Sequence, residues 1–457
     1  MSSDQSRRAF LKRSAALGLA GSAAPFVTNL AAIGEAAASV ATDYKALVCI
    51  FLYGGNDFAN TLVPYDQATY NLYQGLRPNI ALARNALTST LLTTKTPLAG
   101  GVQYALAPTM APLMPIYNAG KLVPVLNVGT LIQPTTKAQY VAKNVPVPPK
   151  LFSHNDQQAF FQSAASAEGA TSGWGGRMGD LFEAGNGNAT LTCINASGNA
   201  VFLSGKTVSQ YAIGPNGPVA VQSNQPVLFG SATANATLKA MITAPRTHSL
   251  ESEYARVTKR SVDAFGQFSD ALANAPTLAT NFDLHSTLQV QLNVVARLIS
   301  ISQQLGAKRQ VFFVAQGGFD CHSILANKQP LLLAGLADAM KTFYDATVEL
   351  GVSDKVTTFT GSDFGRSIVN NEDGSDHGWG GTHFIMGGAV KGNQIYGKSP
   401  VYANNGPDDV GQGRLLPTTS VDQYAATLAS WFGVGDAQMS TVLPSIGNFS
   451  ERNLGFV

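Results

Sequence analysis

Val311-Phe312-Phe313-Val314-Ala315-Gln316-Gly317-Gly318-Phe319-Asp320-Cys321-His322 is the run on which the reading of this chain turns. Its first five residues are β-branched, aromatic or small and carry no charge, the pattern of a strand covered on both faces. Two glycines then free the backbone, and a carboxylate and an imidazole follow. The grammar recurs. Residues 356–360 read as a strand ending in Gly361-Ser362-Asp363-Phe364-Gly365-Arg366, and residues 46–52 as one ending in Gly54-Gly55-Asn56-Asp57. A further segment, Asp376-His377-Gly378-Trp379-Gly380-Gly381-Thr382-His383, leads into a strand at 384–386. Buried strands alternating with helices predict a mostly parallel α/β sheet, whose sites form beyond the carboxyl ends of its strands.

These strand ends bring together residue types that bind metals. The chain has 6 histidines, and His322, His377 and His383 lie in the stretch just quoted. His154 sits in a similarly polar setting, in Phe152-Ser153-His154-Asn155-Asp156. Carboxylates with imidazoles suit zinc or another transition metal; the alternative is a set of hydrogen-bonded structural turns. Cys321 is expected to point away from Asp320 and His322, because successive side chains alternate in extended backbone. Ser153 reads either as the N-cap of a helix over 159–167 or as a nucleophile at a helix N-terminus. Arg177, after Gly173-Trp174-Gly175-Gly176, either binds an anion or pairs with a carboxylate.

Composition narrows the function classes. The 457 residues are 45% apolar and only 13% charged, about half the usual charged share. Arg7, Arg8, Lys12 and Arg13 stand against Asp4 and Glu35, so from residue 39 onward the 30 basic and 28 acidic residues become 26 and 26. A neutral chain with no basic cluster argues against nucleic acid as a partner. Three widely spaced cysteines imply no disulfide framework. No GxGxxG, GxxxxGK[ST] or GxSxG motif occurs.

The amino end reads as an address. Ser6-Arg7-Arg8-Ala9-Phe10-Leu11-Lys12 matches the twin-arginine export signature. An apolar stretch broken by Gly18, Gly21 and Pro25 follows, then Ala36-Ala37-Ala38 as a cleavage site. Residues 1–38 are therefore expected to be a signal peptide handled by the twin-arginine translocase, and 39–457 a periplasmic or secreted chain without a transmembrane helix. Along that chain, residues 122–128 predict a strand. Residues 186–232 predict a β-rich insertion, residues 234–306 helices, and residues 329–350 an amphipathic helix bridging the strands at 311 and 356.

The quoted motifs, with Asn60-Thr61 and Gly387-Gly388-Ala389-Val390-Lys391-Gly392, make the chain resemble the bacterial domain-of-unknown-function family 1501, related to alkaline phosphatases and sulfatases. The resemblance implies an alkaline-phosphatase-like three-layer α/β sandwich with a central, mostly parallel sheet. It implies a divalent metal ion (zinc, manganese or calcium) held by Asp57, Asp320, His322, Asp363 and His383, with His377 an additional candidate. It implies a Ser or Thr nucleophile, Ser153 first and Thr130, Thr135 and Thr136 behind it. Asn60, His154, Arg177 and Arg366 are the expected substrate-binding residues. One departure stands out: Phe364 follows Asp363 where the superfamily often has histidine. The expected activity is metal-dependent hydrolysis of a phosphate or sulfate ester, on a small molecule or a polysaccharide. The alternative is a non-catalytic exported binding or envelope-assembly protein that retains the hydrolase fold.

Overall fold

The computed structural model describes Ala41, residues 43–165 and residues 169–457. The expected export signal, residues 1–38, lies outside the described residues.

Thirteen strands are described: β1 (Lys45–Leu52), β2 (Leu62–Pro64), β3 (Tyr104–Leu106), β4 (Leu122–Gly129), β5 (Cys193–Asn195), β6 (Tyr211–Gly214), β7 (Gly217–Pro218), β8 (Arg309–Gln316), β9 (Val356–Ser362), β10 (Arg366–Asn370), β11 (Ser375–His377), β12 (Gly381–Gly387) and β13 (Thr419–Ser420). Nine form one sheet in the order β13-β4-β12-β9-β1-β8-β5-β6-β7. It is a mixed, mostly parallel sheet with helices on both sides. β1 pairs in parallel with β8 and β9, whereas β12 runs antiparallel to β4 and β9. Consequently β1, β8 and β9 deliver their carboxyl ends to the edge of the sheet at which β12 begins.

The central strands alternate between two cores. Ala46, Val48, Ile50 and Leu52 of β1 pack with Phe312, Val314 and the long helix Leu325–Glu349. Leu47, Cys49 and Phe51 pack on the opposite face with Val311, Phe313, Phe359 and the helix Val421–Phe432. The alternation follows from the two-residue period of a strand, and each fully buried Leu, Ile or Phe contributes about 1.5–3 kcal/mol. The helix expected over 329–350 begins earlier, at Leu325, and runs on through Pro330. Residues 193–218 supply β5, β6 and β7, which extend the central sheet at one edge. The helices Ala232–Thr243, Ser249–Ala273 and Thr287–Ser300 follow.

Close backbone approach gathers the strand ends. Gly54 (φ +111°) and Gly55 (φ +79°) form the turn after β1. A Cβ on Gly54 would lie 2.4 Å from the Asp320 amide, and one on Gly55 would lie 2.5 Å from the Phe364 ring. Both positions need glycine for conformation and for space. The turns after β1, β8 and β9 thus pack directly on one another.

Candidate metal centre

Asp320 stands at the middle of the cluster. It follows β8 and takes a 2.6 Å bond from Arg366 Nη1 at the start of β10. His322 Nε2 lies 3.0 Å and His377 Nε2 3.4 Å from its Oδ1, while His154 Nε2 lies 3.4 Å from its Oδ2. The ring centroids of His154 and His377 are 4.3 Å apart, and those of His322 and His377 are 4.8 Å apart. Donors on a tetrahedral ion at 2.0–2.1 Å stand roughly 3.3 Å from one another. The observed spacing is therefore close to that of a ligand set. Ligand atoms of His154, Asp320 and His377 fall within 4.8 Å of one another.

The second nitrogen of each ring explains the orientation. His154 Nδ1 meets Asp363 Oδ2 at 2.6 Å, His377 Nδ1 meets the Phe152 carbonyl at 2.7 Å, and His322 Nδ1 meets Asp376 Oδ1 at 3.2 Å. A carboxylate or carbonyl accepts, so each ring can donate from Nδ1, and in that neutral tautomer its Nε2 presents a lone pair. That is the outer arrangement of metal-bound histidine. It has a consequence at the centre: the Nε2 atoms of His322 and His377 face each other at 2.9 Å. Two lone pairs at that distance repel unless a cation or a proton lies between them. His154 Nε2 and Asp363 Oδ1 are also buried without a hydrogen-bond partner, a costly state that an ion would relieve for the ring nitrogen. The residues present fit a metal.

Burial works against ionisation of Asp320, but the hydrogen bond and charge of Arg366 outweigh it and hold the carboxyl below its ordinary value. The Asp363 hydrogen bond lifts His154 above the ordinary imidazole value against the pull of burial, whereas burial lowers His377. Asp363 is almost fully buried, and its Oδ2 also accepts from Gln158 Nε2 at 2.8 Å and the Gly54 amide at 3.2 Å. Phe364, the departure noted in the sequence, packs against the rings of His154 and His377 at 4.9 and 4.8 Å. His154, distant in sequence, is the imidazole that meets Asp363.

A family model, described as Protein of unknown function (DUF1501), matches residues 44–444. The chain belongs to the DUF1501 family. Among solved structures this DUF1501 chain is similar to a Bacteroides thetaiotaomicron protein from work on the metabolism of multiple glycosaminoglycans by a versatile core genetic locus (BT33494S-sulf). The identity is 10%, the match covers 88% of this chain and 74% of that one, and the TM-score is 0.36. A likeness that weak carries no argument about activity. A comparison with curated proteins finds no match.

Of the expected ligands, Asp320, His322 and His377 converge, and Asp363 stands behind His154 with its Oδ2 on that ring rather than at the centre. His154, expected to bind substrate, lies in the same cluster. Two expected ligands go elsewhere. Asp57 is buried; its Oδ2 pairs with Arg77 Nη2 at 2.5 Å and its Oδ1 caps the turn Phe58–Asn60 through the Asn60 amide at 3.0 Å. His383 lies inside β12 rather than before it, buried between the Phe161 and Tyr424 rings. Burial pushes its imidazole down to about 3, so it is neutral, with Nδ1 3.5 Å from Thr360 Oγ1.

The expected substrate-binding residues are mostly spent inside the fold. Asn60 bonds the Ile80 carbonyl and Tyr73. Arg177 clamps the backbone carbonyls of Ser163, Ser172 and Val442. Arg366 holds Asp320, Gly54 and Ser375. Ser153 lies at the N-cap position of the helix His154–Ser163 without capping it; its Oγ donates to Asp156 Oδ2 at 2.7 Å. Thr130 bonds Gln157 at 2.5 Å, Thr135 bonds the Gln133 carbonyl, and Thr136 caps the helix Lys137–Ala142. Cys321 is buried with its thiol on the Gly318 carbonyl. Sequence reasoning missed Asp376 and Gln158 as supporting groups, and Arg414, whose Nε donates to the His377 carbonyl.

Proposed function

We propose that this DUF1501 protein is a divalent-metal hydrolase of phosphate or sulfate esters, with His154, Asp320, His322 and His377 as ligands. One observation carries the reading: three imidazole Nε2 atoms converge on one carboxylate while three separate acceptors hold their Nδ1 atoms. Three nitrogens and an oxygen suit zinc or manganese, whereas calcium takes six to eight oxygens. Such an ion, when bound, polarises an ester oxygen and eases deprotonation of the attacking hydroxyl.

The chain's own residues divide the remaining work. Asp320 supplies the negative charge, and Arg366 keeps it ionised. Asp363, Asp376 and the Phe152 carbonyl fix the tautomers. Ser153 is the nucleophile in this reading: it adjoins His154, and Asp156 accepts its hydroxyl hydrogen bond as a base would. Residues 1–38 direct the chain through the twin-arginine translocase to the periplasm or beyond. No described helix is long and apolar enough to cross a membrane.

The test is turnover of p-nitrophenyl phosphate and p-nitrophenyl sulfate by zinc- or manganese-loaded protein, with His377→Ala and Ser153→Ala alongside. Metal-dependent turnover of either ester, lost in His377→Ala, is expected. Metal-loaded protein inert on both refutes the hydrolase reading. It favours the non-catalytic binding or envelope-assembly alternative, for which one observation speaks: Arg366 already neutralises Asp320 at 2.6 Å.

A further inference from the structure

The site as described has no free group to recognise an anionic substrate. Arg366 touches the centre, but its guanidinium is engaged by Asp320, the Gly54 carbonyl and Ser375. Arg177 is locked onto backbone carbonyls away from the cluster. One guanidinium remains. Arg414 donates from Nε to the His377 carbonyl at 3.1 Å and places its guanidinium carbon over the Phe152 ring, 4.3 Å from its centroid. Phe152 and His377 are themselves joined at the centre, since the Phe152 carbonyl orients His377 Nδ1. The Arg414 head is thereby fixed against two residues of the candidate metal centre. No described residue accepts from its Nη1 or Nη2, and no described carboxylate pairs with it. A half-buried guanidinium stacked on one side and open at its terminal nitrogens is pre-organised for a bidentate oxyanion.

The loop that carries it is built for position. Gly411, Gln412 and Gly413 run with φ of +119°, +60° and +72°. Gln412 pays for this, since only glycine adopts such backbone without strain. A Cβ at Gly413 would lie 2.8 Å from the Val369 amide. Asp409, fully buried, accepts from the amides of Asn405 and Gly411 at 2.7 Å each, and the amides of Ile368 and Gly380 donate to the carbonyls of Gly413 and Leu415. The loop is tied to β10 and to the segment that leads from His377 into β12.

We propose that Arg414 is the substrate-binding residue that receives a tetrahedral oxyanion, phosphoryl or sulfuryl, at the four-ligand centre. The inference rests on the metal reading and adds to it the recognition of substrate charge. The sequence alone does not single this residue out, because Arg414 lies 260 positions from His154 and outside every quoted motif.

The test compares wild type, Arg414→Gln and Arg414→Lys after loading with zinc. It reads metal content by elemental analysis and affinity for inorganic phosphate and inorganic sulfate by calorimetry. Arg414→Gln is expected to keep its metal and lose about ten- to hundredfold in affinity for the anion, as for lost charge-assisted hydrogen bonds. Arg414→Lys recovers part of that loss. The phosphate and sulfate arms distinguish the two sources of the anion. Unchanged affinity in a metal-replete Arg414→Gln protein overturns the inference, as does a wild type that binds metal and neither anion. Metal loss in Arg414→Gln overturns it too, since the residue would then only position His377. Wild type without metal sinks the metal reading instead; Arg414 is then judged on the anion affinities alone, where equal values count against it.

Discussion

Asp363→Asn is the substitution that probes the centre through its support. Asp363, itself buried, receives on Oδ2 His154 Nδ1 at 2.6 Å, Gln158 Nε2 at 2.8 Å and the Gly54 amide at 3.2 Å. Asparagine keeps the shape and one acceptor oxygen but loses the charge, and its amide group turns two donors toward the buried space of Oδ1. A hydrogen bond to a charged group is worth about 1.5–3 kcal/mol and a neutral one about 0.5–1.5. The bond that orients His154 therefore weakens by roughly 1–2 kcal/mol, which is about five- to thirtyfold in zinc affinity, overlapping the 10–100-fold typical of such outer partners. Competition against a chromophoric zinc chelator at pH 7.5 measures this directly. Asp376→Asn is the internal comparison: its bond to His322 is 3.2 Å long and half-exposed, so its effect is expected to be the smaller. Wild-type zinc affinity in Asp363→Asn, or a larger loss in Asp376→Asn, would refute the reasoning.

The remaining expectations concern residues that the structure removes from the centre or buries elsewhere. His383→Leu and Asp57→Asn are expected to keep full metal content while unfolding at lower urea than wild type; metal loss in either would return that residue to the ligand set. Asp422, fully buried, has its carboxyl pushed by burial from 3.8 up to about 7. The folded chain then keeps a proton that the unfolded chain releases between about pH 4 and 7, so stability falls as pH rises through that window and levels above it. The displacement corresponds to roughly 4 kcal/mol. Asp422→Asn should gain on wild type in urea unfolding at pH 8 much more than at pH 4.5; an equal difference at both pH values would contradict this.

The strands were legible because burial on both faces leaves a plain mark: 46–52, 122–128, 311–315 and 356–360 carry no charge and are rich in β-branched, aromatic and aliphatic residues, and each is an interior strand of the sheet. Asp320, His322, His377 and Asp363 were legible as strand-end chemistry, and the structure gathers the first three in one cluster with Asp363 behind His154. The repeated Gly-Gly-Asp pattern misled at Asp57. Its glycines mark the close approach of the β1 turn to the Asp320 turn, while the carboxylate two residues on turns inward to Arg77, a partner no local spacing reveals. His383 was misplaced because β12 begins at Gly381, three residues earlier than expected, and its ring lies in the core beside Phe161. His154 lies 166 positions before Asp320, and nothing in the primary pattern measures that contact. Residues 186–232 read as a β-rich insertion; the strands within them are short, and β5 pairs with β8 so that they extend the main sheet.

The central claim is that His154, Asp320, His322 and His377 hold one ion. Elemental analysis of the folded full chain after zinc or manganese loading and gel filtration tests it most directly, with His377→Ala and His383→Leu in parallel. The account predicts about one ion per chain in wild type and His383→Leu and none retained in His377→Ala. Metal-free wild type after loading, or equal metal in His377→Ala, would contradict it.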